Sequence, residues 1–220
     1  VGLLFGFGFY LSGISWITNS LTFDEKFTIL IPFALVLIPI FLSLFTALTT
    51  LLVGPYLKLN FMSLFIFSGS LSFVDYLRAK LFTGFPWNLW AYSTSSLTEI
   101  LQILNFAGLY LYNLIVITLY VLPSIIFFKI SLTKKILCIS SAFLIVLALY
   151  IFGNYQINKN QKILAQTDQK SFVKVVSPNF DLKYGLSENE IEDRFKKIVR
   201  YSEPNKDKKT LFIWPEGIFS

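Results

Sequence analysis

"FTILIPFALVLIPIFLSLFTALTTLLV", Phe27 to Val53, runs for 27 residues without a charge. A helix needs about 20 apolar residues to cross the hydrocarbon of a bilayer, so this stretch is long enough by itself. Ile100–Phe128 and Ile136–Asn158 add 29 and 23 uncharged residues. Val1–Phe23 is a fourth such stretch, and Leu59–Val74 is a shorter fifth that ends in mixed sequence. The pattern predicts five membrane helices, at roughly 1–20, 28–53, 60–80, 105–128 and 136–153. Pro32, Pro39 and Pro123 are tolerable there, because neighbouring helices can satisfy the backbone groups a proline frees. A secretory signal does not account for five such stretches.

Composition supports the same division. Charged residues make up 15% of the 220, whereas Phe alone supplies 24; a soluble domain is charged at about a quarter of its positions. Residues 1–158 hold eleven charges and residues 159–220 hold twenty-one. The chain therefore reads as a membrane region (1–153), a linker (154–170) and a water-facing part (171–220). Basic and acidic residues in the tail nearly balance, twelve against nine, which argues against a nucleic-acid partner. A single cysteine, Cys138, excludes a disulfide within the chain. No histidine occurs, which removes Ser-His-Asp chemistry and His-based metal sites; neither a metal nor a cofactor is expected.

Alternate loops lie on the same side of a membrane. One side carries Lys58, Lys129, Lys134 and Lys135; the other carries Lys26, Arg78 and Lys80. The tight cluster Lys129–Lys135 lies between two strong helices, and the positive-inside rule places it in the cytoplasm. The tail after Phe152 is then expected on the outer face.

Within the tail, Tyr155–Lys170 is polar without an apolar period and reads as linker. "SFVKVVSP" (Ser171–Pro178) is β-rich and stopped by proline. In "SENEIEDRFKKIVRYSE", Ser187 and Glu190 predict a capping box that satisfies backbone N–H groups of the first turn. Ile191, Phe195, Ile198 and Val199 share one face of the helix, while Glu192→Lys196 and Asp193→Lys197 support the other. "TLFIW" (Thr210–Trp214) is a second short strand. Strand, helix, strand suggests a parallel α/β sheet. About fifty residues cannot close such a sheet over its own core, and residue 1 is a valine already inside an apolar stretch. The expectation is a fragment cut at both ends.

Several motifs carry possible chemistry. "WPEG" (Trp214–Gly217) presents Glu216 beyond the carboxyl end of a strand, where working residues of parallel sheets gather. Apolar Trp214 and Phe219 beside it would raise its pKa by desolvation, which suits a general base; a surface turn residue is the competing reading. "TGFPWNLWAYS" (Thr83–Ser93) clusters Trp87, Trp90 and Tyr92 after a helix broken by Gly84 and Pro86. It is either an interfacial aromatic belt or a loop receiving a lipid chain at the mouth of a site. Asp75 and Arg78 stand at i, i+3 and can pair. Ionisable groups inside a span are functional candidates, with snorkelling to the interface the alternative. Gly2-x-x-x-Gly6 is read as helix packing, and Cys138 as a small buried hydrophobe.

In order along nearly the whole chain, these motifs resemble those of the apolipoprotein N-acyltransferases. "LSGISW" (Leu11–Trp16) is similar to the family's "GSGINW". Asp75-Tyr76-Leu77-Arg78 through Thr83-Gly84-Phe85-Pro86-Trp87 is similar to its "E-[FW]-L-R-x-x-x-x-T-G-F-P-W". "VVSPNFDLKY" (Val175–Tyr184) matches a "V-Q-x-N" strand end with a following "KW", and Trp214-Pro215-Glu216 matches "WPE". Asp75 stands where the family commonly has Glu, Tyr184 where it has Trp, and Ala91 where it has Gly.

The resemblance implies a polytopic α-helical membrane bundle followed by the start of an α/β nitrilase-like (αββα sandwich) domain, in a bacterial inner membrane with residues 154–220 on the periplasmic face. It implies a Glu-Lys-Cys triad in which Glu216 is the general base, with the lysine and cysteine beyond Ser220; Trp87, in the aromatic loop read above, is the candidate substrate-binding residue. The implied reaction moves an acyl chain from a phospholipid donor, through a thioester, to the amine of a diacylglyceryl lipoprotein acceptor. No cofactor is implied, and the fragment alone would be inactive. A membrane-anchored nitrilase-type amidase and a non-catalytic transporter or scaffold are the alternatives.

Overall fold

The computed structural model describes residues 1–82, 84–166, 172–180, 185–205 and 207–216. It is mostly helical and divides into two compact units, Val1–Lys162 and Ile163–Ser220. In the first, α1 covers Gly2–Ile14, α2 Ile31–Val53, α3 Phe61–Arg78, α4 Thr98–Leu101 and α5 Leu104–Val121. Helix α6, Leu132–Gln166, begins in this unit and runs past its end.

Among the described residues, three helical segments are long and apolar enough to cross a membrane: Glu25–Tyr56, Leu104–Phe127 and Leu132–Gln166. Five were expected, and the two shortfalls have local causes. Helix α1 is 13 residues long and gives way to a 3₁₀ segment, Ser15–Thr22. There Thr18, Ser20 and Thr22 donate their hydroxyls to carbonyls three residues back, at 2.7–2.8 Å, and such local bonds compete with the regular helical ladder. Helix α3 is 18 residues long but carries several serines and ends in Asp75 and Arg78, which lowers its hydropathy.

The interior of the bundle mixes small polar residues with apolar clusters, while its outside is greasy. Ser43, Ser68 and Asn113 are fully buried, whereas Leu137, Phe143 and Leu144 on α6 are largely exposed. Between helices in lipid, close backbone approach and internal hydrogen bonds drive association, because lipid tails are as apolar as leucine. At the α1–α2 contact, a β-carbon on Gly2 would run into Thr50, and one on Gly6 into Thr46. The Thr46 hydroxyl donates across this contact to the Gly2 carbonyl, 3.1 Å. The Gly2-x-x-x-Gly6 spacing is thus used for packing, as expected. Cys138 is half-buried against the cluster of Leu64, Ile125 and Phe128, and Lys135 donates to the Ile126 carbonyl at 2.6 Å.

The first part of the expected linker is helical. Residues 155–166 continue α6, since Gln, Lys, Ala and Leu favour helix whether or not the surroundings are apolar. Asn158 donates to the Asn154 carboxamide one turn back, 2.9 Å. Residues 167–171, the rest of that stretch and the first residue of the expected strand, lie outside the described residues.

In the second unit, β1 (Phe172–Val175) and β2 (Thr210–Ile213) pair in parallel, with Phe172 opposite Thr210 and Val175 opposite Ile213. Helix α7, Glu188–Ser202, connects them in sequence. It starts on the expected capping box: the Ser187 hydroxyl accepts from Glu190 N, and Ser187 N donates to the Glu190 carboxylate at 2.9 Å. Glu192 pairs with Lys196 at 2.7 Å. Lys197 lies over the Phe180 ring, 5.0 Å from its centroid, where a partner in Asp193 was expected. Of the four apolar positions assigned to one face, Ile198 is fully buried, while Phe195 and Val199 remain partly exposed.

Candidate functional site

Asp75 and Arg78 close the last turns of α3, and both are buried, at 3% and 1% exposure. The snorkelling alternative is thereby overturned: neither charge reaches an interface. A carboxylate and a guanidinium withdrawn from water need every remaining polar atom occupied, or the desolvation cost exceeds their attraction. Most are. Arg78 Nη2 donates to Asp75 Oδ1 at 3.1 Å, and Nη1 donates to the carbonyls of Phe85 (2.7 Å) and Trp87 (2.8 Å). The guanidinium also faces the Tyr10 ring, 5.2 Å from its centroid. Asn113 Nδ2, on α5, donates to Asp75 Oδ2 at 3.0 Å, and Asn113 Oδ1 accepts from Ala91 N at 2.9 Å.

The loop after α3 is therefore gripped from two helices. It can fold back tightly because Gly84 has φ +77°, a left-handed conformation that costs glycine nothing; a β-carbon there would also press on the Ala79 carbonyl at 2.8 Å. Phe85 packs against Tyr10, Ile14 and Leu42. Asn88 donates to the Phe9 carbonyl, 3.3 Å, and its carboxamide fills the space a β-carbon on Gly13 would need. Further on, the Ser93 and Thr94 hydroxyls meet those of Tyr120 and Tyr112, each at 2.6 Å. Thr83 lies outside the described residues.

Beside this loop the bundle forms a partly open cavity of about 430 Å³, lined from α1, α2, α3 and α5 and by Trp90. The Trp90 indole stacks on Phe9, with ring centroids 4.5 Å apart, and meets Tyr120 edge-on. Trp87, the aromatic singled out from the sequence, is half exposed and lies edge-on to Trp16; Trp90 belongs to the cavity wall and Trp87 does not. Asn113 was missed. The available signal was a lone amide in "LYLYNLIVI", since polar groups within apolar spans are costly and rarely idle.

In the second unit, Glu216 lies on a turn three residues after β2 and is exposed. Trp214 does not cover it. Its indole Nε1 donates to the buried Ser202 hydroxyl at 3.1 Å, and its ring packs edge-on against Phe195 of α7. Gly217 and Phe219, the latter the other half of the expected apolar setting, lie outside the described residues, as does the Asp181–Tyr184 segment.

A bundle of small-residue helix contacts with a clamped aromatic loop defines a membrane-embedded protein, and its relatives are acyltransferases. Residues 1–122 match the family model described as the apolipoprotein N-acyltransferase N-terminal domain. The chain belongs to the apolipoprotein N-acyltransferase family. Proteins of that name from Rickettsia bellii and Rickettsia typhi are 32% and 31% identical over 99% and 98% of this chain. The one from Rhodopseudomonas palustris is 25% identical over 99%. The chain spans about 42% of the length of each of these relatives.

Proposed function

We propose that this chain supplies the membrane bundle and the leading part of the catalytic domain of an enzyme that N-acylates lipoproteins. The observation that carries the reading is family membership over the bundle and its clamped loop, residues 1–122. In the proposed reaction the Glu216 carboxylate takes the proton of a cysteine thiol. The thiolate attacks an ester carbonyl of a phospholipid, the carbon–oxygen bond breaks, and the lysophospholipid alkoxide leaves with that proton. The α-amine of a diacylglyceryl-cysteine lipoprotein then attacks the thioester; the carbon–sulfur bond breaks, the amide forms and the thiol is regenerated. A thioester keeps the acyl group reactive where water is scarce, so an amine can compete with hydrolysis.

The only cysteine here, Cys138, is packed in α6, so the proposal takes its thiol and lysine from the part of the relatives' length that this chain does not span. It gives that domain a nitrilase-like αββα fold, to which the parallel β1–β2 pair and α7 would contribute. Trp87 is proposed to meet lipid at the membrane surface. The membrane is the bacterial inner membrane, with the second unit on the periplasmic side. Two facts support that orientation: the cluster of Lys129, before α6, with Lys134 and Lys135 in its first turn reads as cytoplasmic, and Arg78, buried against Asp75, no longer counts as a charge for the opposite side.

The test uses the full-length protein, a palmitoyl phospholipid and a diacylglyceryl-cysteine peptide. Appearance of palmitoyl amide on the peptide is expected. Ammonia released from small amides with no peptide acylation would instead favour an amidase.

A further inference from the structure

We propose that Asp75, Arg78 and Asn113 are the positioning residues of an acyl-chain slot. They form a buried latch that fixes the Phe85–Ala91 loop, and with it Trp90, as one wall of the cavity in the bundle. The proposal deepens the acyltransferase reading and rests on it for the identity of the chain.

The cavity's chemistry selects its occupant. Thr46, Thr49 and Thr50 line it, yet their hydroxyls are spent on backbone carbonyls of α1 and α2 at 2.9–3.1 Å. The Tyr120 hydroxyl is engaged by Ser93. What remains on offer is methyl groups and ring faces, from Phe5, Phe67, Leu71 and Trp90 among others. A cavity whose lining side chains keep no free hydroxyl favours apolar guests. Inside a bilayer the abundant apolar guest is a lipid acyl chain, and a volume of about 430 Å³ lies low in the range of about 300–1,000 Å³ for small-molecule sites. That suits a single chain rather than a whole lipid.

The latch determines where the wall stands. The loop is held at Phe85 and Trp87 by Arg78, and at Ala91 by Asn113. Trp90 lies between the last two grips, so its backbone is held on both sides, and its indole is set against the cavity by stacking on Phe9. Asp75 joins the two halves, giving one carboxylate oxygen to Arg78 and the other to Asn113. The Asn113 amide has one orientation that serves both of its partners: oxygen to Ala91 N–H, NH₂ to the carboxylate. Replacing Asp75 by Asn sets NH₂ against NH₂, and replacing Asn113 by Asp sets carboxylate against carboxylate. Making both changes restores every donor–acceptor match and keeps one negative charge in the cluster, moved from position 75 to position 113.

The experiment takes full-length protein as wild type, Asp75→Asn, Asn113→Asp, the double swap and the conservative Asp75→Glu. Hydrogen exchange of segment 85–91 is followed with and without an ether-linked dipalmitoyl phospholipid, which can bind but cannot donate an acyl group. Transfer from dipalmitoyl and didecanoyl phosphatidylethanolamine is measured in parallel. Each single swap is expected to speed exchange of the segment by about tenfold or more, the factor for one lost charge-assisted hydrogen bond. It should also abolish protection by the ether lipid and erase the preference between the two donors. The double swap and Asp75→Glu should recover all three. Equal falls in rate for both donors with protection by lipid intact, unchanged exchange in the single swaps, or no recovery in a folded double swap would each overturn the latch. Should the single swaps fail to insert, wild type and double swap still decide: no lipid protection in either sinks the slot. Lipid protection in a wild-type protein that transfers neither chain would keep the slot and sink the acyltransferase reading.

Discussion

A β-carbon at Gly6 would meet the Thr46 hydroxyl and come within 3.0 Å of the Ser43 backbone, whereas at Gly8, two residues on, nothing stands within 4 Å. The same substitution should therefore have opposite outcomes at the two sites. Gly6→Val is expected to cost about 1–3 kcal/mol through overpacking, seen as a lower melting temperature in detergent, while Gly8→Val leaves it unchanged. Equal melting temperatures would mean that α1 and α2 do not meet as described. The small-residue spacing of Gly2 and Gly6 was legible because it is local. The partner of Asp75 on another helix was not, since Asn113 is 38 positions away and helical periodicity reports a face without saying what it faces. Arg78 was legible as a partner for Asp75 at i, i+3, but its two carbonyl contacts depend on the tertiary path of the loop.

At the scale of elements, capping box, strand pair and connecting helix could be read from short-range pattern, and the end of α6 could not. Polarity in 155–166 does not mark where the helix stops. Helix α7 ends on Glu203 in a left-handed conformation, φ 45°, a position that usually falls to glycine. Its carboxylate accepts from Lys174 Nζ of β1 at 2.9 Å. That hydrogen bond, and then the charge of Lys174, lower the Glu203 pKa from its ordinary 4.5. A carboxylate depressed in the folded state adds stability above its unfolded pKa and loses it as pH falls through the folded value. Glu203→Gln should thus lower the melting temperature slightly at neutral pH, with the difference closing on acidification below about 4.5, the ordinary value. A difference that widened in acid would contradict the pairing. Both groups are exposed, so the effect is small.

For the molecule as a whole, composition separates a greasy region from a charged tail, and the structure divides into two compact units at Lys162. Among the described residues, two expected spans fall short for different reasons: the first breaks at Ser15, where α1 gives way to a 3₁₀ segment, while the third is continuous α-helix whose serines and buried ion pair lower its hydropathy. The orientation proposed for the second unit predicts that a cysteine placed at Asn205, in a Cys138→Ser background, reacts with an impermeant thiol reagent added outside the inner membrane. Reaction only after that membrane is breached would invert the topology. The most direct test of the proposed chemistry is mass analysis of full-length protein incubated with phospholipid and no acceptor. Wild type should carry a hydroxylamine-labile acyl adduct on a cysteine, and Glu216→Gln, inserted equally well, should carry none. An undiminished adduct in Glu216→Gln, or none in wild type, would contradict the account.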